Sequence, residues 1–319
     1  MKNKKRSIRI NFIDLIPLLI LLAIIILMIL INPRLLRLTV LEIKSNAALT
    51  LILAATGQTF VLLTGGIDLS LGSIISLTNS LAATQMTEEV DSVIIWSLII
   101  CFIGIISGFI NGLIVTKMQI SPFIATLATQ SILQGIAFLI LESDGGRVSS
   151  TLKDFVRTEI ISLPSSLLVI LLIVVLWFWL RRTKPIIQIF AVGSYERGAH
   201  LSGVRVDATK ILAYTLSGFF AALAGLYRTV QVGSGSPIAG ANFVLPSVIA
   251  TVLGGTSLSG GKGGVEKGVI GGLITLFIYD LIFFLDINTF YTPMFQGLLL
   301  TVAVAINVLG YRRIQRRGT

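Results

Sequence analysis

The chain carries one histidine, His200, and one cysteine, Cys101, and this scarcity bounds its chemistry. A single cysteine inside an apolar run leaves no disulfide framework and no thiolate cluster. A single histidine leaves no zinc site, His-based triad or haem that this chain could hold alone. Lys262, in the run TSLSGGKGG, invites comparison with a phosphate-binding loop, but Thr256 stands where the first glycine is required and Gly263 where a Ser or Thr is required. No carboxylate pair or nucleophile elbow stands out. The residues therefore predict no catalytic site, no metal site and no cofactor bound by this chain; if ATP is used, another polypeptide binds it.

The polar patterns that remain suit binding and movement. In TGGIDLSLGS, Thr64 to Ser73, Gly65 and Gly66 break a helix and Asp68 can cap the next one, beginning near Leu69 at the end of an apolar span. A cap and a place on a translocation path are both open to it. Gln58, Gln130, Gln134, Asn111, Asn307 and Asp280 lie in or near apolar runs, where bonding across helices is the more economical use of each. As a set they imply an interior that is not wholly apolar, as a solute path requires. Gln58, Asp68, Ser70, Asn111 and Gln130 are the candidate path residues.

The longest polar interruption runs from Arg181 to Lys210. Within it Ser194 can serve as N-cap, Glu196 sits in the first turn where the helix dipole favours an acid, and Gly203 is a stop, which predicts a helix over 195–202. Two turns are marginal alone, so something must pack against them. The segment is either a plain connection between spans or a docking element for a cytoplasmic partner.

These pieces need a frame, and composition supplies it. With 54% hydrophobic and 13% charged residues in 319, the chain reads as an all-α integral membrane protein. The net charge of +10 is scattered at the ends of apolar runs, which fits a positive-inside bias better than nucleic-acid binding. Ten apolar stretches occur at about 15–31, 47–64, 69–86, 93–116, 121–141, 163–180, 211–228, 245–259, 265–285 and 293–310. The basic N-terminal segment lacks a small-x-small cleavage site and leads into a retained first span. Ten crossings with both termini in the cytoplasm place 18 basic residues inside and seven outside. The stretch 245–259 is short and contains glycine, so it is a full span, a broken helix or a re-entrant element. The loop 142–162 leaves no room for an extracytoplasmic domain. Nine glycines between Gly254 and Gly272 are too many for a plain lipid-facing helix. Gly104, Gly108 and Gly112, and Gly264, Gly268 and Gly272, are spaced for close helix approach, with packing inside one bundle the better reading. No internal repeat is evident.

Three ordered motifs, TGGIDLSLGS (64–73), AVGSYERGAHLSGV (191–204) and VLGGTSLSGGKGGVEKGVIGG (252–272), resemble those of the ribose, xylose and autoinducer-2 class of ABC-transporter permeases, within the branched-chain amino acid and sugar permease superfamily. The resemblance spans nearly the whole chain, as a single permease domain over 1–319 with a coupling segment at 188–204 and a glycine-rich segment at 246–272. It implies a multi-pass subunit of a bacterial inner membrane, translocating a sugar or related solute. It also implies a second permease copy or homologue, a cytoplasmic ATPase subunit that holds ATP and Mg, and an extracytoplasmic solute-binding protein. The segment from 181 to 210 would then contain the coupling helix that enters a groove of the ATPase. Gly193, Ser194, Gly198, Ala199, Leu201, Ser202 and Gly203 fall on the family pattern, while Tyr195, Glu196, Arg197 and His200 occupy its variable positions. A helix-favouring residue is usual where Gly198 stands, and glycine there costs about 1 kcal/mol relative to alanine. A nucleoside or branched-chain amino acid importer permease is the nearest competing reading. A proton-coupled secondary transporter would need acid or His relays deep in its spans, and a membrane enzyme would need a catalytic cluster.

Overall fold

The computed structural model describes residues 12–157 and 164–317. The basic segment 1–10, residues 158–163 of the 142–162 loop, and the side chains of Asn307, Arg312, Arg313, Arg316 and Arg317 lie outside the described residues. Among those described, the regular elements are helices, with one isolated backbone bridge between Gly145 and Gly235. In order they are α1 (Phe12–Ile31), α2 (Leu38–Leu63), α3 (Leu71–Gln85), α4 (Val90–Lys117), α5 (Pro122–Ile140), α6 (Ser150–Arg157), α7 (Ser165–Leu180), α8 (Lys184–Ser194), α9 (Glu196–Leu201), α10 (Val206–Val232), α11 (Val244–Leu253), α12 (Val265–Phe284) and α13 (Thr292–Arg317). This is an all-α membrane protein.

Each of the ten apolar stretches forms a helix, but they differ in reach. Among the described residues α2, α4, α5, α10 and α12 are long and apolar enough to cross a bilayer, and α7 with α8 makes a sixth if the 81° bend between them is counted within one span. The 15 residues of α3 and the ten of α11 fall short, because a helix rises about 1.5 Å per residue against roughly 30 Å of hydrocarbon. The stretch 245–259 is thus a short helix that ends at Leu253 and gives way to a glycine-rich loop.

The core is built on α2 and α10, which run antiparallel. Asn46 of α2 accepts from Tyr227 Oη (2.7 Å), its carbonyl accepts from Gln231 of α10, and Gly57 lies against Ser217. The most enclosed span, α2, buries Thr50, Thr56, Gln58 and Thr59 along with its aliphatic residues. Thr56 and Thr59 donate to the carbonyls four residues back, so their hydroxyls cost little in an apolar surrounding. The spaced glycines pack within the bundle. A Cβ on Gly104, Gly108 or Gly112 would lie 2.4 Å from Gly218 O, 2.1 Å from Tyr214 O or 2.6 Å from Ile211 Cα, all on α10. Gly268 and Gly272 likewise face Thr59 and Ile52 of α2.

The packing also discloses a symmetry that the sequence hides. Helix α10 packs on α2, α3 and α4, while α2 packs on α10, α11 and α12. In each set the long helix is followed by a break and a short helix, and each short helix packs on the next two helices, α3 on α4 and α5, α11 on α12 and α13. Since α2 and α10 are antiparallel, α2–α5 and α10–α13 form an inverted repeat. The correspondence lies in which helices pack together, and no repeat is evident in the sequence.

Gly108→Leu is expected to lower thermal stability in detergent by at least the roughly 1–3 kcal/mol of an overpacked core, whereas Gly135→Ala, with open space at the added Cβ, should leave the unfolding midpoint unchanged. Equal midpoints for the two variants would contradict this account of the α4–α10 contact.

Candidate functional site

The chain breaks between α2 and α3 by a defined device. Gly65 adopts φ +80°, its N–H donates to Leu62 O (2.9 Å), and Gly66 N–H donates to Val61 O (3.1 Å), which is a Schellman closure of α2. Gly66 has a second constraint, because a Cβ there would lie 2.6 Å from Tyr214 Oη. Helix α3 then starts at Leu71 rather than near Leu69, with Ser70 at the N-cap position.

Asp68 does not sit at a wet span end, as a simple cap would. It is fully buried among α2, α3, α4 and α10. Its Oδ1 accepts from Ser70 N (3.0 Å) and Ser70 Oγ (2.6 Å), and its Oδ2 accepts from Ser217 Oγ of α10 (2.7 Å). Asn111 Nδ2 of α4 donates to Ser70 Oγ (2.6 Å). Because Ser70 Oγ already accepts there, its own proton goes to Asp68, and the donors converge on the carboxylate near the N-terminus of α3, where the helix dipole favours negative charge. Gln58 grips the backbone of the same residue, donating to Asp68 O (3.0 Å) and accepting from Asp68 N (3.2 Å) in the amide orientation that satisfies both. Thr126 of α5 accepts from Leu69 N (3.1 Å). Four of the five candidate path residues thus meet at one point, while Gln130, part-exposed on α5, joins none of these bonds. Ser217 and Thr126 complete the cluster. Nothing in the sequence singles them out, since each is a small hydroxyl in an apolar run.

Of the other polar residues in apolar runs, Gln134 of α5 donates to Pro237 O in the turn that follows α10, and Asp280 pairs with Lys44 of α2 at 2.7 Å.

The interruption at 181–210 folds as two helices, α8 and α9, followed by the first turn of α10. Helix α8 runs through Ser194, so Ser194 caps nothing; its Oγ donates to Phe190 O within α8 (2.8 Å). Tyr195 alone links the helices, in extended conformation, and takes the N-cap position of α9. Gly203 closes α9 as expected, at φ +81°, with Val204 N–H donating to Ala199 O (3.0 Å) and Gly203 N–H to His200 O (2.9 Å). Two apolar side chains project from this polar end, Tyr195 at 65% and Leu201 at 78% exposure, while Ala199 is buried beneath them. Gly198 lets the Tyr195 ring fold over α9, since a Cβ there would lie 2.4 Å from that ring. Lys210 of α10 bonds both carboxylate oxygens of Glu196 at 2.8 Å, and Arg181 approaches Glu266 of α12 at 3.8 Å.

The three sequence motifs meet in space. Gly261 N–H donates to Leu63 O, the last carbonyl of α2, at 2.9 Å. Gly193 of α8 touches the same carbonyl so closely that a Cβ would stand 1.8 Å from it. Gly260 and Gly261, at φ +81° and +71°, press on Gly65, Gly193 and Ser194, and Ser194 Oγ, whose proton goes to Phe190 O, lies 3.4 Å from Gly261 O. Glycine is required here for close backbone approach as well as for conformation. Four residues separate Leu63 from Asp68, so the junction sits directly on the break.

Residues 42–304 match the family described as branched-chain amino acid transport system / permease component. A ribose import permease of Haemophilus influenzae is 35% identical over 82% of both chains, and one of Bacillus subtilis is 35% identical over 91% of both. A D-allose transport system permease of Escherichia coli K12 is 34% identical, over 81% of this chain and 80% of its own. No solved structure matches.

Asp68→Leu should leave the Ser70 and Ser217 hydroxyls buried without their acceptor, at about 1–3 kcal/mol each, and Asp68→Asn, which keeps one acceptor, should cost less. Thermal unfolding in detergent checks the order, and equal stability of wild type and Asp68→Leu would refute the assigned network.

Proposed function

The chain belongs to the branched-chain amino acid transport system / permease component family, and from that membership we propose that it is the membrane subunit of a binding-protein-dependent ABC importer for a sugar or related polyol. The sugar reading rests on the ribose and allose permeases among its relatives. On this reading the chain forms the path and performs no catalysis, and ATP with Mg is held by a separate cytoplasmic ATPase. A second permease copy or homologue and an extracytoplasmic solute-binding protein complete the importer in a bacterial inner membrane. The end bearing α8 and α9 faces the cytoplasm, as its basic flanks favour.

The observation that carries the mechanism is the junction of α8 with the end of α2 and the glycine-rich loop. Helix α9 presents Tyr195 and Leu201 as apolar anchors for the ATPase, with Arg197 and His200 exposed beside them. Nucleotide-driven closure of the ATPases would displace α9, and Tyr195, the only residue between the helices, passes the displacement to α8. Because Gly193 abuts Leu63 O without an intervening side chain, α8 cannot move far without carrying the end of α2 and the break at 64–70. The bundles then switch between inward- and outward-open forms as packed bodies. Solute delivered from outside needs little affinity in the path, since tight binding would slow its release.

Tyr195→Ala combined with Leu201→Asp should weaken co-purification with the cognate ATPase by tenfold or more, as expected for losing about 2 kcal/mol of anchor contact, while the variant permease remains monodisperse and unfolds at the wild-type temperature. Undiminished ATPase association would overturn the docking assignment. Solute uptake into proteoliposomes without ATP would overturn the importer reading itself.

A further inference from the structure

A crevice of about 790 Å³ opens in the side of the bundle between α4 and α7, with α2 and α10 as its floor and α6 at one end. Its lining is almost wholly apolar. Leu53 and Leu223 lie at the floor, Leu98, Phe155 and Leu172 at the mouth, and Cys101 on the α4 wall. The mouth residues are 67%, 82% and 53% exposed, and they belong to the outward faces of apolar helices, where the surrounding medium is hydrocarbon. An unfilled space of this size would forfeit the dispersion contacts of every residue lining it.

Helix α6 indicates what enters. Leu152, Phe155 and Val156 of α6 line the crevice, while its other positions include Lys153 and Asp154. An amphipathic helix so placed lies in the membrane interface, with its cation at headgroup level. Glu88 fixes it there, accepting from Ser150 N (2.7 Å) at the first turn. The crevice therefore runs from an interfacial rim at α6, where Lys153 and Asp154 are the charged residues, into an apolar interior that matches a lipid tail.

We propose that an acyl chain of a bilayer phospholipid occupies this crevice as an integral part of the folded protein, with its phosphate near Lys153. Helix α7 packs on α2 and α12 and continues through the 81° bend into α8. A fluid tail between α7 and α4 would let these two helices shift relative to one another during transport without opening a void between them. That consequence rests on the importer reading; the occupancy does not.

The test is photolabelling in proteoliposomes with a phospholipid carrying a diazirine at the end of one acyl chain, read by peptide mass mapping. Mouth residues will be labelled by any surrounding lipid, so the floor decides. Leu226 and Tyr227 of α10 line the crevice beside Leu223 and are part-exposed, and labelling there, reduced several-fold in Leu223→Trp where the indole fills the crevice, is the expected result. Labelling confined to Leu98, Phe155, Leu172 and other outward residues of the wild-type protein would overturn the proposal, without recourse to the variant. So would floor labelling that Leu223→Trp, purified folded, leaves unchanged.

Discussion

The carbonyl of Leu63 is the contact on which the rest of the structure depends. It terminates α2, accepts a hydrogen bond from Gly261 N–H, and bears directly on Gly193. Three segments distant in sequence are joined there by backbone alone. Side chains hop between rotamers and can absorb a displacement, but backbone in van der Waals contact with backbone cannot. A junction of this kind transmits movement with little slack, and the price is that glycine must occupy each contacting position.

From that point order extends in two directions. Toward the polar end, α8 passes through the single extended residue Tyr195 into α9, which is held by Lys210 below and offers Tyr195 and Leu201 above. Toward the interior, the chain turns at Gly65 and Gly66 and arrives at Asp68, whose carboxylate is fixed by donors from α3 and α10, with α4 reaching it through Ser70. A buried carboxyl group is costly unless its oxygens find hydrogen-bond donors. Meeting them from different helices makes the break a fixed joint instead of a loose loop. On the transport reading, these are the two ends of one lever.

Much of this was legible in the sequence because glycine and helix-cap chemistry are local. Gly65 and Gly203 announced the ends of α2 and α9, and both close by the same hydrogen-bond pattern. The apolar stretches announced every long helix. What stayed hidden depended on tertiary placement. Ser194 has the right chemistry for a cap, yet α8 extends through it and removes its free N-terminal partner. Asp68 looks like a surface cap until three other helices close over it. Ser217 and Thr126 carry no signal, since a hydroxyl in a span is satisfied by its own helix unless a neighbour claims it. The inverted packing scheme leaves no mark in the sequence because it lies in which helices touch and not in which residues do so.

The central claim is that α9, the glycine-rich loop and the end of α2 move as one body. It is tested most directly by the distance between spin labels placed at His200→Cys on α9 and Ser259→Cys in the loop, in a Cys101→Ser background, both sites being exposed. The reconstituted complex with its ATPase would be measured nucleotide-free and again trapped with ATP. One narrow distance, unchanged between the two states, is the predicted result. A shift or broadening of that distance on ATP binding would show that the junction yields, and would contradict the account.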